Sequence, residues 1–255
     1  MTVYRLRSAR AVAWSPHALT RSVWRAAWDT DRADLIDPTP SSDSLVTTWT
    51  DALQGIAPTM ATEASRPAYD DSGDYPVITA AAGSRYLSAT ITSGQIPTGT
   101  DTSCVFAVAQ GFTTGNIWNY GGTTAASTRR ITLDGAGVVT LGVGSSGAGY
   151  FVNATASLAD PTILTGIMTA TYGIFRINGA EVGRVAVAMP TTITSRIRFF
   201  ANTNSTPSSF GDGAISDVHI TTALSDADVL RFEGWLAHKR GITLQGGHPY
   251  ASAPP

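Results

Sequence analysis

From residue 77 to residue 222 the chain is a succession of short apolar or alternating runs separated by Gly, Asn, Asp, Ser and Thr. The runs fall at 77–80, 86–92, 103–110, 116–120, 129–133, 137–143, 149–155, 162–170, 173–178, 181–188, 195–201 and 213–221. Within 103–110, Val105, Ala107 and Ala109 alternate with Phe106 and Val108, the two-residue period of a strand. Asn178-Gly179 supplies the two positive-φ positions of a type I′ turn, so 173–178 and 181–188 form a hairpin. Asp134-Gly135-Ala136-Gly137 marks a second hairpin. Many short antiparallel strands at this spacing predict an all-β fold, a two-sheet antiparallel jelly-roll sandwich. There is no repeat of solenoid length and no heptad, which excludes a solenoid and a coiled-coil stalk.

One short C-terminal helix interrupts the β pattern. Ser225 can cap it, Asp226 and Asp228 suit the positive end of its dipole, and Val229, Phe232 and Leu236 share a face. Lys239 and Arg240 fall in the last turn, and Gly241 can end it in the left-handed conformation. The scarcity of Glu and Lys argues against further helix: sixteen Asp stand against three Glu, and sixteen Arg against one Lys.

Before residue 77 the pattern is weaker. Val23-Trp24 and Val46-Thr47-Thr48-Trp49 read as short strands. Asp37 to Asp43 is turn chemistry, and Arg66-Pro67 with Tyr69 to Asp74 reads as another long turn. Residues 1–22 form an extended arm in which Tyr4, Leu6, Val12 and Trp14 are interleaved with Arg5, Arg7 and Arg10. The arm is either an edge strand or a docking segment, with Tyr4, Arg5, Leu6, Arg7 and Trp14 as its contact residues. The resulting division is an arm at 1–22, a β domain at 23–250 and a tail at 251–255.

The net charge of −2 offers no basic field for nucleic acid or an anionic membrane. No apolar run reaches the length of a spanning helix, and the N-terminus lacks the apolar centre of a signal peptide. A single cysteine excludes internal disulfides and multi-cysteine metal sites.

The C-terminal half carries a succession of motifs. Phe210-Gly211-Asp212-Gly213-Ala214-Ile215-Ser216-Asp217-Val218 is followed by Ala223 to Asp228. Then come Glu233-Gly234-Trp235-Leu236-Ala237-His238-Lys239-Arg240-Gly241 and Gly247-His248-Pro249-Tyr250. This succession resembles the closing strand and helix of concanavalin A-like lectin/glucanase (LamG-type) jelly rolls, especially those of tailed-phage and prophage structural proteins. Val23-Trp24 with Asp29, Val46-Thr47-Thr48-Trp49-Thr50-Asp51, Arg66-Pro67 and Ile177-Asn178-Gly179 are similar to earlier pieces of that family. The resemblance implies two curved antiparallel sheets whose concave face and rim loops often bind sugars. It does not fix a function, because the scaffold hosts lectins, glycosidases and structural modules.

Catalysis finds little support in the residues. Glycoside hydrolysis needs two carboxyl groups placed across the scissile bond. The glucanases of the resembled superfamily carry E-x-D-x-x-E, and no such run exists here; Glu63, Glu181 and Glu233 are isolated. Gly142-Val143-Gly144-Ser145-Ser146-Gly147 matches a dinucleotide fingerprint literally. Tyr150-Phe151-Val152-Asn153 just beyond it reads as strand rather than helix, so a loop between strands is expected. Asp70, Asp71 and Asp74 offer oxygens for Ca2+ without the spacing of a calcium loop, so no cofactor is required. The histidines are scattered, and no metal site is expected. Cys104 lies in an apolar strand and reads as a buried small hydrophobe.

Sugar recognition needs a flat aromatic platform with hydrogen-bonding groups beside it. Asn116-Ile117-Trp118-Asn119-Tyr120 supplies that mixture. Trp118 and Tyr120 share strand parity, so both point to one face, core or groove. Arg129-Arg130 and Asn202 to Thr206 are further rim candidates. The predicted sugar contacts are therefore Asn116, Trp118, Asn119, Tyr120 and Arg129.

Three functions compete. The first is a non-enzymatic exterior component of a tailed phage or phage-like particle, a decoration, head-fibre or tail-fibre module. It would be located in the virion and assembled in the host cytoplasm. Its partners would be other virion proteins, a surface glycan of the host and further copies of itself. The second is a carbohydrate-binding lectin module, and the third a polysaccharide hydrolase.

Overall fold

The computed structural model describes residues 14–16, 19, 23–38, 41, 44–81, 83–122, 128–143, 150–186 and 195–255. Among these residues sixteen strands run in chain order. The first five are β1 (Trp24–Asp29), β2 (Ile36–Asp37), β3 (Thr48–Trp49), β4 (Ala68–Asp70) and β5 (Val77–Ala80). β6 (Leu87–Thr90), β7 (Ser103–Gln110), β8 (Gly115–Gly121), β9 (Thr128–Leu133), β10 (Val138–Val143) and β11 (Tyr150–Thr155) follow. The last are β12 (Thr162–Met168), β13 (Gly173–Ile177), β14 (Ala180–Val185), β15 (Arg196–Phe199) and β16 (Gly213–Thr221), ahead of helix α1 (Asp226–Arg240).

The fold is the expected antiparallel β-sandwich with one C-terminal helix. Sheet A has the order β14-β13-β12-β7-β16-β5-β4, with β1 added beside β16. Sheet B has the order β11-β10-β9-β8-β15-β6, and β2 and β3 form a separate pair. Each of the twelve runs between 77 and 222 contains a strand. Two expectations before residue 77 need correction. β1 extends six residues rather than two and joins sheet A along β16. β4 lies where a turn was expected, because Tyr69 is buried and Ala68–Asp70 pair with Val77–Thr79 at the edge of sheet A.

Burial assigns a role to each sheet face. The inner face of sheet A (Val105, Ala107, Leu164, Phe175, Val218) meets the inner face of sheet B (Trp118, Ile131, Leu141, Ile197, Phe199) in the main core. The alternate residues of sheet A, Cys104, Phe106, Val108, Ile163 and Ile174, form a second cluster with Val229, Phe232 and Leu236 of α1. Phe106 stacks on Phe232 at 4.1 Å between ring centres. Sheet A is thus buried on both faces, which explains why β7 and β12 are apolar throughout. Sheet B is buried on its inner face, and its outer face is covered only in part, at Asn116, Asn119, Thr128 and Arg198.

The helix caps follow the sequence. Ser225 accepts a hydrogen bond from the Asp228 amide, and Gly241 ends the helix at φ 68°. Asn178 and Gly179 both have positive φ, as the hairpin requires. In the N-terminal arm, Trp14 packs edge-on against Phe232 at 6.4 Å, so it rests on its own fold. Tyr4, Arg5, Leu6 and Arg7 lie outside the described residues. Among the described residues no helix is long and apolar enough to cross a membrane.

Candidate functional site

Three of the four sheet faces are occupied by the protein itself, two by the core and one by α1. The fourth, the outer face of sheet B, is the polar one. The pairing registers place Ser88, Arg198, Asn119, Arg130, Gly142 and Phe151 in one row across its six strands. The next row holds Asn116, Thr132, Thr140 and Asn153. The six strands of sheet B contain four arginines and no Asp or Glu.

The predicted sugar contacts divide by parity. Trp118 and Tyr120 are fully buried and stack on each other at 5.6 Å inside the sandwich. Arg129, directly opposite Tyr120, also points inward. Its guanidinium donates to Ser103 Oγ (2.7 Å), Tyr120 Oη (3.1 Å) and the carbonyls of Gly99 and Asp101. These three residues cannot present a platform to solvent, and the expectation that they do is corrected. Two aromatic rings and an apolar neighbour row gain more by leaving water together than by facing it.

Asn116 and Asn119 are also buried, so their expected sugar contact is corrected too. Asn116 Nδ2 donates to the Ser209 carbonyl at 2.7 Å. Asn119 Oδ1 accepts from Thr203, whose hydroxyl also reaches the Gly122 carbonyl. The segment after Phe200 therefore folds over this end of the face. Its carbonyls take up two more arginines. Arg196 donates to Thr203 and Asn204, and Arg198 to Asn202 (2.6 Å), Asn204 (2.7 Å) and Ser88 Oγ. Burial, then the like charge of Arg196, push Arg198 down to about 10, so it remains a cation at neutral pH.

Arg130 is different. It is partly exposed in the middle of the face. Its guanidinium lies 5.4 Å from the centre of the Phe151 ring. One strand, β10, separates these residues, and at this row it carries Gly142, which puts no side chain in the way. Among the described residues Arg130 has no carboxylate partner, and its buried Nε has no hydrogen-bond partner. Burial alone lowers its pKa. Exposed Asn153 and half-buried Thr132 and Thr140 flank the pair, with Thr140 Oγ1 donating to Asn153 Oδ1 at 2.9 Å.

A groove of about 670 Å3 opens at the end of the sandwich, between Gly111–Thr113, the Gly135–Gly137 turn and Thr155–Ala159. No charged side chain lines it, and the Thr113 hydroxyl is already held by Asp212 at 2.5 Å. The chemistry concentrates on the sheet face rather than in this groove.

The other candidates have structural surroundings. Asp70 closes a local turn onto the amide and hydroxyl of Ser72. Among the described residues no group of three His, Cys, Asp or Glu is placed to hold a metal ion. Cys104 is buried, and burial pushes its thiol up to about 12. Of the fingerprint at 142–147, Gly142 and Val143 end β10 and the rest lies outside the described residues.

These sheets define a jelly-roll β-sandwich of the kind found among carbohydrate-binding domains. Domain 4 of an extracellular arabinanase from Geobacillus stearothermophilus, solved with arabinotriose, has TM-score 0.57 at 16% identity over 81% of this chain and 96% of that one. The binding domain of botulinum neurotoxin DC, solved with rat synaptotagmin II, has TM-score 0.53 at 11% identity over 80% of this chain and 52% of that one. A sialidase from Streptococcus pneumoniae has TM-score 0.48 at 15% identity over 56% of this chain, which spans 25% of the sialidase's length. No protein-family model matches the chain, and no curated protein matches it.

Proposed function

We propose that this chain is a non-catalytic carbohydrate-binding module that engages sugar with the outer face of sheet B. The observation that carries the reading is the Arg130–Phe151 pair, an aromatic ring and hydrogen-bond donors on the part of the outer face of sheet B that the described residues leave uncovered. Neutral polar groups at Thr132, Thr140 and Asn153 surround the ring, the mixture a pyranose needs. The arabinanase domain solved with arabinotriose supports the reading through its shared fold. A hydrolytic role lacks its chemistry on this face, because sheet B holds no carboxylate to act as acid or nucleophile. Glu233, the most enclosed glutamate, is held by Arg176 at 2.8 Å and by His248.

The test is a glycan array probed with the whole chain and with Phe151→Ala. Hits that disappear in the variant support the reading. An empty array for the intact protein overturns it.

The exterior module of a phage-like particle is a setting that such a face would suit. That assignment rests on the closing motif, and the motif residues have jobs within the fold. Glu233 pairs with Arg176, Gly234 admits Tyr250, His238 meets the Tyr250 carbonyl, and Lys239 and Arg240 hold three aspartates. The motif therefore reports the fold, and glycan binding is the function argued from the site. Particle incorporation with and without residues 1–22 tests the docking of the arm.

A further inference from the structure

We infer that the sugar taken by this face carries a carboxylate, and that Arg130 is the residue that selects it. This rests on the carbohydrate-binding reading and names its ligand class.

The outer face of sheet B carries Arg130, Arg196 and Arg198 with no acid on any of its strands. Between sheet A and α1 the buried cations are paired with carboxylates: Arg176 with Glu233, and Lys239 and Arg240 with Asp29, Asp31 and Asp217. On sheet B, Arg196 and Arg198 are held by the carbonyls of residues 202–204. Of the four arginines of sheet B, only Arg130 has neither a carboxylate nor a carbonyl among the described residues, and its Nε is unsatisfied.

A guanidinium drawn partly out of water without a counterion is at a disadvantage that an arriving anion removes. The same reduced solvation strengthens the charge-assisted hydrogen bonds formed there. Phe151 holds the guanidinium over its ring, and Gly142 keeps the space between them open. A planar fork fixed in this way matches a planar carboxylate edge-on. The ring face leaves apolar surface beside it for the sugar body. A nucleic acid fits less well, since its binding neutralises several phosphates and among the described residues this face has one cation without an oxygen partner.

The experiment measures calorimetric affinity of the whole chain for oligogalacturonate and oligoalginate. The comparison probes are their methyl esters, a sulfated dextran and a single-stranded oligonucleotide. The expected result is at least tenfold tighter binding of a free acid than of its ester. Arg130→Gln should erase that preference, Arg130→Lys should retain part of it, and the exposed Arg32→Gln should leave it unchanged. Equal affinity for acid and ester overturns the inference while leaving the carbohydrate reading intact. A preference for the sulfated polymer or the oligonucleotide also overturns it, as does an acid preference that survives in Arg130→Gln. Failure of every sugar probe, acid and ester alike, counts against both. Should Arg130→Gln not fold, the acid-to-ester ratio of the intact protein and of Arg130→Lys decides.

Discussion

Arg129 and Arg130 are neighbours in the chain and lie on opposite sides of sheet B. Arg129 is enclosed with Tyr120 and Ser103, whereas Arg130 stacks on Phe151 at the outer surface. The pleat alone separates them, and it assigns one to stability and the other to recognition. Arg129→Met should leave the Gly99 and Asp101 carbonyls and two hydroxyls without their donor, costing about 2–4 kcal/mol. Arg130→Met removes a cation that has no carboxylate partner among the described residues, and should leave stability unchanged or slightly raised. Urea denaturation of both variants checks the contrast; equal losses would show that parity does not divide their roles.

Gly142 sits in register between Arg130 and Phe151. A side chain there would stand in the row that the guanidinium now spans. Gly142→Val should therefore weaken sugar binding tenfold or more. The β-branched residue suits a strand, so a folded protein with native far-UV circular dichroism is expected. Binding that matches the unsubstituted protein would mean the Arg130–Phe151 contact is not what the ligand uses.

The parity of Arg129 and Arg130 is present in the sequence pattern, because Ile131 and Leu133 mark the apolar face and Arg129 shares it, yet the expected sugar contacts include Arg129 rather than Arg130, and the structure reverses that choice. The strands from 77 onward are legible for the same reason, and the caps of α1 come from local chemistry at Ser225 and Gly241. What the sequence cannot supply is the row. Arg130 and Phe151 are 21 positions apart, and only the registers of β9, β10 and β11 bring them together. Trp118 and Tyr120 mislead because an aromatic pair next to asparagines is the same pattern in a core strand and in a binding strand. The choice between them depends on which sheet face α1 and the partner sheet cover. β4 escapes the sequence pattern because Tyr69 is a lone apolar residue among turn formers, and it is buried through pairing with Val77–Thr79.

Asp217 is wholly buried against Arg240 (2.6 Å) and Lys239 (2.8 Å), which also reach Asp29 and Asp31. Burial alone would push its carboxyl up; the two cations overcome that and hold it well below the usual range. Glu233 is likewise lowered, burial being outweighed by His248 and Arg176. A carboxyl whose folded pKa lies below its unfolded value near 4 stabilises fully above that value and loses its contribution as pH falls toward the folded one. Urea midpoints should therefore be level between pH 7 and about 5 and drop steeply below about 4. Asp217→Asn should cost about 3–5 kcal/mol at pH 7, since it leaves two buried cations short of a partner, and it should flatten the acid limb. A midpoint that holds constant down to pH 2 would contradict this assignment.

Gly234 and Tyr250 join the helix to the C-terminal tail. A Cβ at position 234 would stand 2.7 Å from Tyr250 Cβ, so only glycine lets the tyrosine close over α1. The Tyr250 carbonyl then meets His238 at 2.9 Å, and His248 reaches Glu233 at 3.3 Å beneath it. Two effects of Gly234→Ala oppose each other. Alanine favours the helix by about 1 kcal/mol over glycine, while the overlap with Tyr250 costs about 1–3 kcal/mol. The net expectation is a loss of about 0–2 kcal/mol, the difference of those two terms. In the Tyr250→Gly background the side chain that overlaps, Cβ included, is gone and the same substitution should stabilise. A double-mutant cycle in urea measures this coupling directly. Sugar affinity should be unaffected in all three variants, because α1 lies across sheet A and the recognition face belongs to sheet B. A loss of affinity parallel to the loss of stability would place the ligand on the helix side instead.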